Sequence, residues 1–521
     1  MSEPLLDGDE IQASIVPGFS RPEQLLIAIT VPDAASLREV LALCTGLVTS
    51  MSMAMPHKAL RKAALLSGVD SVLPDPLWLS VSLGRRALDW LGESKVINLD
   101  PAFDALMWRP QGAGVTSRLG DPVQPLMSAG TPNPSYPPNW KMGGSQPIDM
   151  LLIFAANANV QARAEGLLTQ ITSIVGAASI VQQLGQLLPN NEEHFGFVDG
   201  ISVPGMYGEY QSESGLLPVS TRYGVPSNQG VDFGRPGQPL CWPGQFILGY
   251  PPSAGGMAPA NLPPRARNGS FLVFRRLNQD VEAFYRDTNA LAGALASGLN
   301  NPMLDREHCQ ALIVGRWKNG EPVMRAPAAP APIAEPFLSL NYFDFATNLP
   351  ALTLSDGAAI SGMTGDPTSS FGGQVCPSWA HLRKTNPRDL GTDVPRPTRT
   401  LQLLRRGVPF GPQFDHDNPD NPVNSEERGL LFLSYQTSIV NTFETIITDW
   451  MNNDLAPPPG KGPDLLVGQI NGGAGQKLFT TVKPDGTDLP LTVAGKWVFP
   501  TGGAYLFTPS LSAIVAWSTT A

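Results

Sequence analysis

Glycine and proline occupy 52 positions each, 104 of the 521 residues, and this pair limits the possible folds more than any other feature of the chain. Glycine opens backbone regions closed to other residues, while proline removes a donor and fixes one dihedral. Long regular elements are therefore excluded from much of the sequence. The share, a fifth, stays below the roughly 25–30% at which chains become low-complexity polymers. With 42% hydrophobic and only 15% charged residues, the chain has the balance of one that buries much of itself. The expectation is a folded protein with long, ordered loops. Because single cores stop growing near about 250–300 residues, it needs two domains or two packed halves.

Basic residues number 35 and acidic residues 45, a net charge of -10, with no run of Lys or Arg to track a line of phosphates; nucleic acid is not an expected partner. Met1 to Glu10 is acidic, and no stretch of 18 or more apolar residues follows. This reads as a cytoplasmic chain without a membrane or export segment. Cys44, Cys241, Cys309 and Cys376 lie far apart with no C-x-x-C pair, which points to reduced, buried thiols rather than a zinc site or a disulfide framework.

Leu25–Val31 reads as a strand, followed by a helix from Ala35 to about Leu47. After a loop-rich passage, Met150–Ala155 reads as a buried strand leading into a helix over Val160–Val175. Gly and Pro dominate from Ser202 to Arg267, the best candidate for a boundary between halves. In the second half, Ser270–Arg275, Ala311–Trp317 and Leu430–Tyr435 read as strands. Ile439, Phe443, Ile447 and Trp450 recur at helical spacing, predicting an amphipathic helix that ends before Pro457-Pro458-Pro459. With no fixed-period repeat and no Gly-rich phosphate loop after a first strand, the fold class is α+β rather than a doubly wound nucleotide-binding sheet.

Only five histidines are available for chemistry: His57, His194, His308, His381 and His416. Asp415-His416-Asp417 reads as a solvated loop rather than a metal site, and His308, in Asp305-Arg306-Glu307-His308, reads as surface charge. Neither a G-x-S-x-G elbow nor an H-E-x-x-H pair occurs. Two stretches stand out. One is Glu193-His194-Phe195-Gly196-Phe197-Val198-Asp199-Gly200-Ile201-Ser202, which on its own is compatible with an Asx-capped turn. In the other, Cys376 to Arg388, a lone His381 sits in a short helical segment after Pro377; a lone histidine is more often structural than functional.

Together with Leu403-Leu404-Arg405-Arg406-Gly407-Val408-Pro409-Phe410-Gly411, these stretches resemble the dye-decolorising peroxidases, a family of haem enzymes. The likeness continues in order through Ile11-Gln12, Phe246-Ile247-Leu248-Gly249-Tyr250-Pro251, Val314-Gly315-Arg316-Trp317 and Arg428-Gly429-Leu430-Leu431-Phe432. It reaches Gly502-Gly503-Ala504-Tyr505-Leu506-Phe507 and so spans nearly the whole chain.

The resemblance implies two ferredoxin-like halves with antiparallel sheets flanked by helices. Residues 1–215 would carry the distal Gly-x-x-Asp-Gly motif and 216–521 the proximal histidine and distal arginine. Haem b would bind in the C-terminal half near the interface. His381 becomes the iron ligand, Asp199 the acid and base that moves the peroxide proton, and Arg405 the cation that stabilises charge as the O–O bond breaks. Leu430 and Phe432 match positions that wall the distal pocket, and Arg316 is a candidate for a haem propionate.

Relatives often carry an acid where this chain has Val440, so the partner of His381 stays open between Asp464 and, second, Glu444. The implied partners are hydrogen peroxide and aromatic reducing substrates, with no nucleic acid and no membrane; monomer and homo-oligomer are equally compatible. An aspartate, ordinarily titrating near about 3.9, predicts that dye oxidation is favoured in acid. A haem-binding or haem-handling protein with little turnover is the alternative. Trp379 and Tyr435 are the aromatics nearest these motifs in sequence, though a given aromatic is more often packing than an electron relay.

Overall fold

The structure, a computed structural model, describes residues 4–67, 74–107, 118–127, 129–208, 222–223, 233–234, 237–253, 256–333, 337–353, 359–366, 373–388, 400–418, 420–458, 460–469, 476–493 and 495–519. The expected boundary at 215/216 lies outside the described residues, as do parts of the Gly/Pro-rich passages around it. No helix among the described residues is long and apolar enough to cross a membrane.

The N-terminal half contributes four strands to the main sheet: β1 (Glu23–Ile29), β2 (Trp78–Gly84), β3 (Met150–Ala156) and β4 (Ile180–Gln186). The C-terminal half adds β5 (Ser270–Gln279), β6 (Leu404–Arg405), β7 (Val408–Phe410) and β8 (Gly429–Gln436). A hairpin, β9 (Lys477–Val482) and β10 (Asp488–Val493), pairs separately, and β11 (Val498–Thr508) returns to the main sheet. The order is β6-β8-β5-β11-β2-β3-β1-β4, with β7 also on β8, and every pairing is antiparallel. Strands of both halves thus form one α+β sheet, joined where Leu506 and Phe507 of β11 pair with Gly84 and Leu83 of β2.

The sheet curls until its edges meet. A Cβ on Gly185 of β4 would lie 2.5 Å from Val408 Cγ1 of β7 and 3.2 Å from Leu431 Cδ1, so only glycine permits this approach. Enclosed by the curl is an apolar core including Leu26, Leu151, Ile153, Leu431, Leu433 and Tyr435, closed at one end by Leu6, Ile11, Ile15 and Phe19. The buried Gln12 fastens that N-terminal segment. Its Nε2 donates to Val81 O (2.9 Å) and Pro509 O (2.8 Å), and its Oε1 accepts from Ser80 Oγ (2.7 Å) and the Val81 N–H (2.9 Å).

Helices α1 (Ala34–Cys44) and α3 (Val160–Val175) pack on the outer face of β1 and β3, with α2 (Met51–Ser67) between them in sequence. Asp33 caps α1 by accepting the Ser36 N–H at 2.8 Å. In the C-terminal half, α4 (Val281–Gly298) and α5 (Arg306–Val314) form a second layer.

Two expectations are corrected here. Ala311–Trp317 is no strand: its first four residues end α5, capped by Asp305 at one end and by left-handed Gly315 at the other. The run is buried all round, and periodicity cannot separate strand from helix in that case. The amphipathic helix after β8 exists, but as two wider π turns, Val440–Glu444 and Ile446–Met451. The four cysteines are buried with free thiols.

Candidate functional site

The Glu193–Ser202 loop is built around its first residue. The buried Glu193 carboxyl accepts the backbone N–H groups of Phe195 (3.0 Å) and Phe197 (3.1 Å) and an amide N–H of Gln279 (2.6 Å). Burial pushes its pKa up to about 7 despite these bonds, and the Asp199 charge adds to the rise. Gly196, at φ 90°, makes the turn. The His194 ring bonds Phe410 O at 2.9 Å, and burial lowers its pKa to about 4, too low for a charged imidazole at neutral pH. The Asp199 backbone N–H donates to Asn191 O (2.9 Å), and its Oδ1 accepts from the Gly200 N–H (2.6 Å) and from Arg405 Nη1 (3.3 Å).

Arg405 belongs to β6, opposite Ser434 of β8. Facing residues on antiparallel strands project to the same side, and side chains alternate along a strand. Arg405 therefore shares a face with Phe432 and Leu430, while Leu431, Leu433 and Tyr435 point into the enclosed core. Phe432 meets Phe443 of the first π turn with ring centroids 6.0 Å apart.

On the other side, His381 opens the short helix α6 (His381–Thr385). Its Nδ1 lies 2.7 Å from Asp464 Oδ2. Asp464 is fully buried, and its second oxygen accepts the backbone N–H groups of Leu466 and Val467, both at 2.9 Å. Burial alone would raise this carboxyl, but the His381 ring, the Val467 N–H and the nearby Lys477 ammonium together hold it below the usual range. An ionised Asp464 makes Nδ1 the protonated nitrogen and leaves Nε2 as the electron-pair donor. Lys477, its pKa lowered to about 8 by burial, donates to Asp464 O and Leu465 O.

A strap links the two sides. After α5, Gly315 packs against Leu382, where a Cβ would fall 2.6 Å from the Leu382 Cβ; further on, Lys318 O accepts the Val198 N–H at 3.0 Å. Phe195 and Phe197 of the distal loop share one apolar cluster with Trp379 and Leu465 beside His381. His381, Arg405 and Asp199 keep side-chain exposures of 30%, 33% and 38%.

The structure thus brings Asp199 to Arg405, Arg405 to the face of Leu430 and Phe432, and Asp464 to His381. Glu444 is not at His381: it accepts from Tyr505 Oη (2.9 Å) and Arg118 Nη2 (2.7 Å), because the wider π turn directs it to the sheet. The buried Arg316 spends its donors on Gly320 O, Leu340 O, Ser202 Oγ and Asn341 Oδ1. Burial, then Arg388 and Arg405, lowers its pKa to about 9. His308 is buried and stacked on Trp317 at 5.0 Å, not surface charge. Trp379 and Tyr435 are both fully buried. Sequence reasoning passed over Glu193 and Asn341, which ties Ile201 O to the strap (2.9 Å); burial, which sets the behaviour of Glu193, leaves no local signal.

Among the described residues no three His, Cys, Asp or Glu side chains gather as a metal site. What is present is one imidazole with a free donor nitrogen, an apolar wall from Leu430 and Phe432, and three neighbouring guanidiniums, Arg316, Arg388 and Arg405, that repel one another and favour carboxylates. This donor set fits a haem with a single axial histidine and two propionates. The α+β fold and this donor set fit the class of haem peroxidases.

No protein-family model matches the sequence. A dye-decolorizing peroxidase of Mycetinis scorodonius is 28% identical over 533 residues, covering 97% of this chain and 86% of the relative. Peroxidase 2 of the same fungus is 30% identical over 436 residues, 79% of this chain and 73% of its own. A dye-decolorizing peroxidase solved in complex with 2,6-dimethoxyphenol superposes with a TM-score of 0.69 at 26% identity, over 99% of this chain and 100% of that one. The chain belongs to the dye-decolorizing peroxidase family, whose members are haem enzymes, and is a peroxidase.

Proposed function

We propose that this peroxidase binds haem b through His381 and uses hydrogen peroxide to oxidise dyes and phenolic donors in one-electron steps. The observation that carries this reading is the pair of polar contacts, Asp199–Arg405 and His381–Asp464, on segments that the strap links. The bound haem would supply the redox centre at which peroxide is reduced. Around it, Asp464 fixes the His381 ring in one tautomer and increases its donor strength. Asp199 takes the proton from one peroxide oxygen and returns it to the departing one. Arg405 holds the negative charge that develops on the departing oxygen, and its bond to Asp199 keeps both groups aimed at the same place. Leu430 and Phe432 restrict this side to small molecules. Arg316, with its donors engaged, contributes charge toward the propionates rather than direct bonds.

Residues 1–215 supply Asp199 and residues 216–521 the other groups, so in this reading the site depends on both halves. The relative solved with 2,6-dimethoxyphenol supports a phenolic donor. The test is kcat/KM for hydrogen peroxide in Asp199→Asn and Arg405→Leu, each checked for unchanged haem absorbance. A loss of about 10²-fold or more is expected in each. Unchanged values would remove both residues from the mechanism, whereas a parent no faster than free haem would favour a haem-handling protein with little turnover.

A further inference from the structure

Around the His381–Asp464 pair the protein buries two lysines, Lys384 and Lys477. Lys384 follows His381 by three residues on α6, which places it one turn on along the same side of the helix. Its Nζ donates to Asn453 O at 2.7 Å and to Ala456 O. Just before that segment, Met451 O accepts the Asp464 N–H at 2.8 Å. Lys477 approaches from β9, and its Nζ donates to Leu465 O at 2.8 Å and to Asp464 O at 3.2 Å. Among the described residues, neither ammonium hydrogen-bonds a carboxylate.

The two positive charges exceed what these bonds require. A neutral amide can donate to two carbonyls, whereas a buried ammonium carries a desolvation cost that opposite charge must offset. For Lys477 that charge is Asp464, with Lys496 acting against it; for Lys384 it is Asp464 first and then Asp454. Burial lowers both lysines to about 8, so each stays protonated in neutral and acidic solution. The fully buried Asp464 carboxylate therefore faces two ammoniums as well as the His381 ring. A carboxylate left to itself draws the Nδ1 proton and makes Nε2 a stronger donor. Cations beside it oppose that pull, and do so strongly where water is excluded.

We propose that Lys384 and Lys477 act through Asp464 as positioning residues for the axial imidazole, restraining the negative character of His381 and so raising the ferric/ferrous potential of the haem iron. The inference rests on His381 as the iron ligand. A weaker axial donor stabilises the ferric state less than a strong one does, which is the sense of the change.

The experiment is a redox titration, in mildly acidic buffer, of the haem-loaded full chain and its Lys477→Met, Lys477→Gln and Lys384→Gln variants. The iron–histidine stretching frequency of each ferrous form is read by resonance Raman. Each variant is expected to shift the equilibrium about tenfold toward the ferric state, about 59 mV for one electron, and to raise the stretching frequency. Lys477→Gln keeps a donor for the two carbonyls, so it would restore a structural role and not a role of charge. Should Lys477→Met fail to fold, Lys477→Gln and Lys384→Gln still decide. Lys141, exposed and paired with Glu427 at 2.6 Å, controls for net charge, and Lys141→Met should move neither quantity. Potentials and frequencies equal to the parent's in haem-bound Lys477 and Lys384 variants would overturn the proposal and leave the peroxidase reading intact. An equal shift in Lys141→Met would do the same. A parent without an iron–histidine stretch would overturn both.

Discussion

Glu193 shows how a residue without a place in the chemistry governs one that has it. Its carboxyl is raised to about 7 from 4.5, chiefly by burial. The folded state therefore favours the neutral acid; the stability this provides is complete below 4.5 and is lost as pH climbs through about 7. Melting temperatures of Glu193→Gln against the parent should show a difference that moves in favour of the variant across that window. A difference constant with pH would show that the acid does not titrate there. Asp464 gives a second prediction. With Oδ1 fixed by two backbone N–H groups, Asp464→Asn leaves His381 oriented by an amide instead of a carboxylate. Haem affinity should fall about 10–100-fold, measured as transfer of haem to a scavenging globin. At this scale the stretches around His381, Asp199 and Arg405 stood out because they are short and local, and the roles given to them are those proposed above. Asp464 lies 83 residues from His381, and nothing local distinguishes it from an exposed acid. Glu193 was hidden because burial, which sets its behaviour, has no signature in its neighbours.

Among elements, the strap from Gly315 to Gly320 has the most to do for its length. Gly320 adopts φ 96°, and a Cβ there would meet Ile201 Cδ1 at 2.1 Å, two residues beyond Asp199. Gly320→Ala thus combines a backbone penalty with pressure on the distal loop. The expected loss is about 1–3 kcal/mol, read as a lowered denaturant midpoint, together with a reduced kcat/KM for peroxide. A stability loss with turnover intact would show that the strap does not position Asp199. The strands Ser270–Gln279 and Gly429–Gln436 were readable in part, as Ser270–Arg275 and Leu430–Tyr435, from β-branched and apolar runs, and Val160–Val175 from its period. The failures have separate origins: α5 is buried from His308 to Ile313 and so shows no single polar face, while the π turns keep a helical apolar spacing but widen the turn. A π turn also advances more residues per turn than an α-helix, which is why the reading that placed Glu444 near His381 put it on the wrong side.

For the molecule as a whole, stability depends on closing the sheet and keeping its first segment in place. Gln12 makes four buried hydrogen bonds, to β2 and to the residue after β11. Gln12→Ala leaves backbone groups of both halves unpaired, and each costs about 1–3 kcal/mol. A single cooperative melt at lower temperature is expected; two separated transitions would mean that the halves unfold independently. The overall α+β layout was legible from the mixture of elements, but the meeting of β4 with β7 was not, since a lone glycine in a strand does not reveal what approaches it. One more consequence follows from β8, whose odd and even residues serve different compartments. Substitutions can reshape either compartment while sparing its neighbour, but inserting or deleting one residue between Gly429 and Gln436 would exchange the two sets of walls at a stroke. Diversification along this strand is therefore confined to changes that conserve its length.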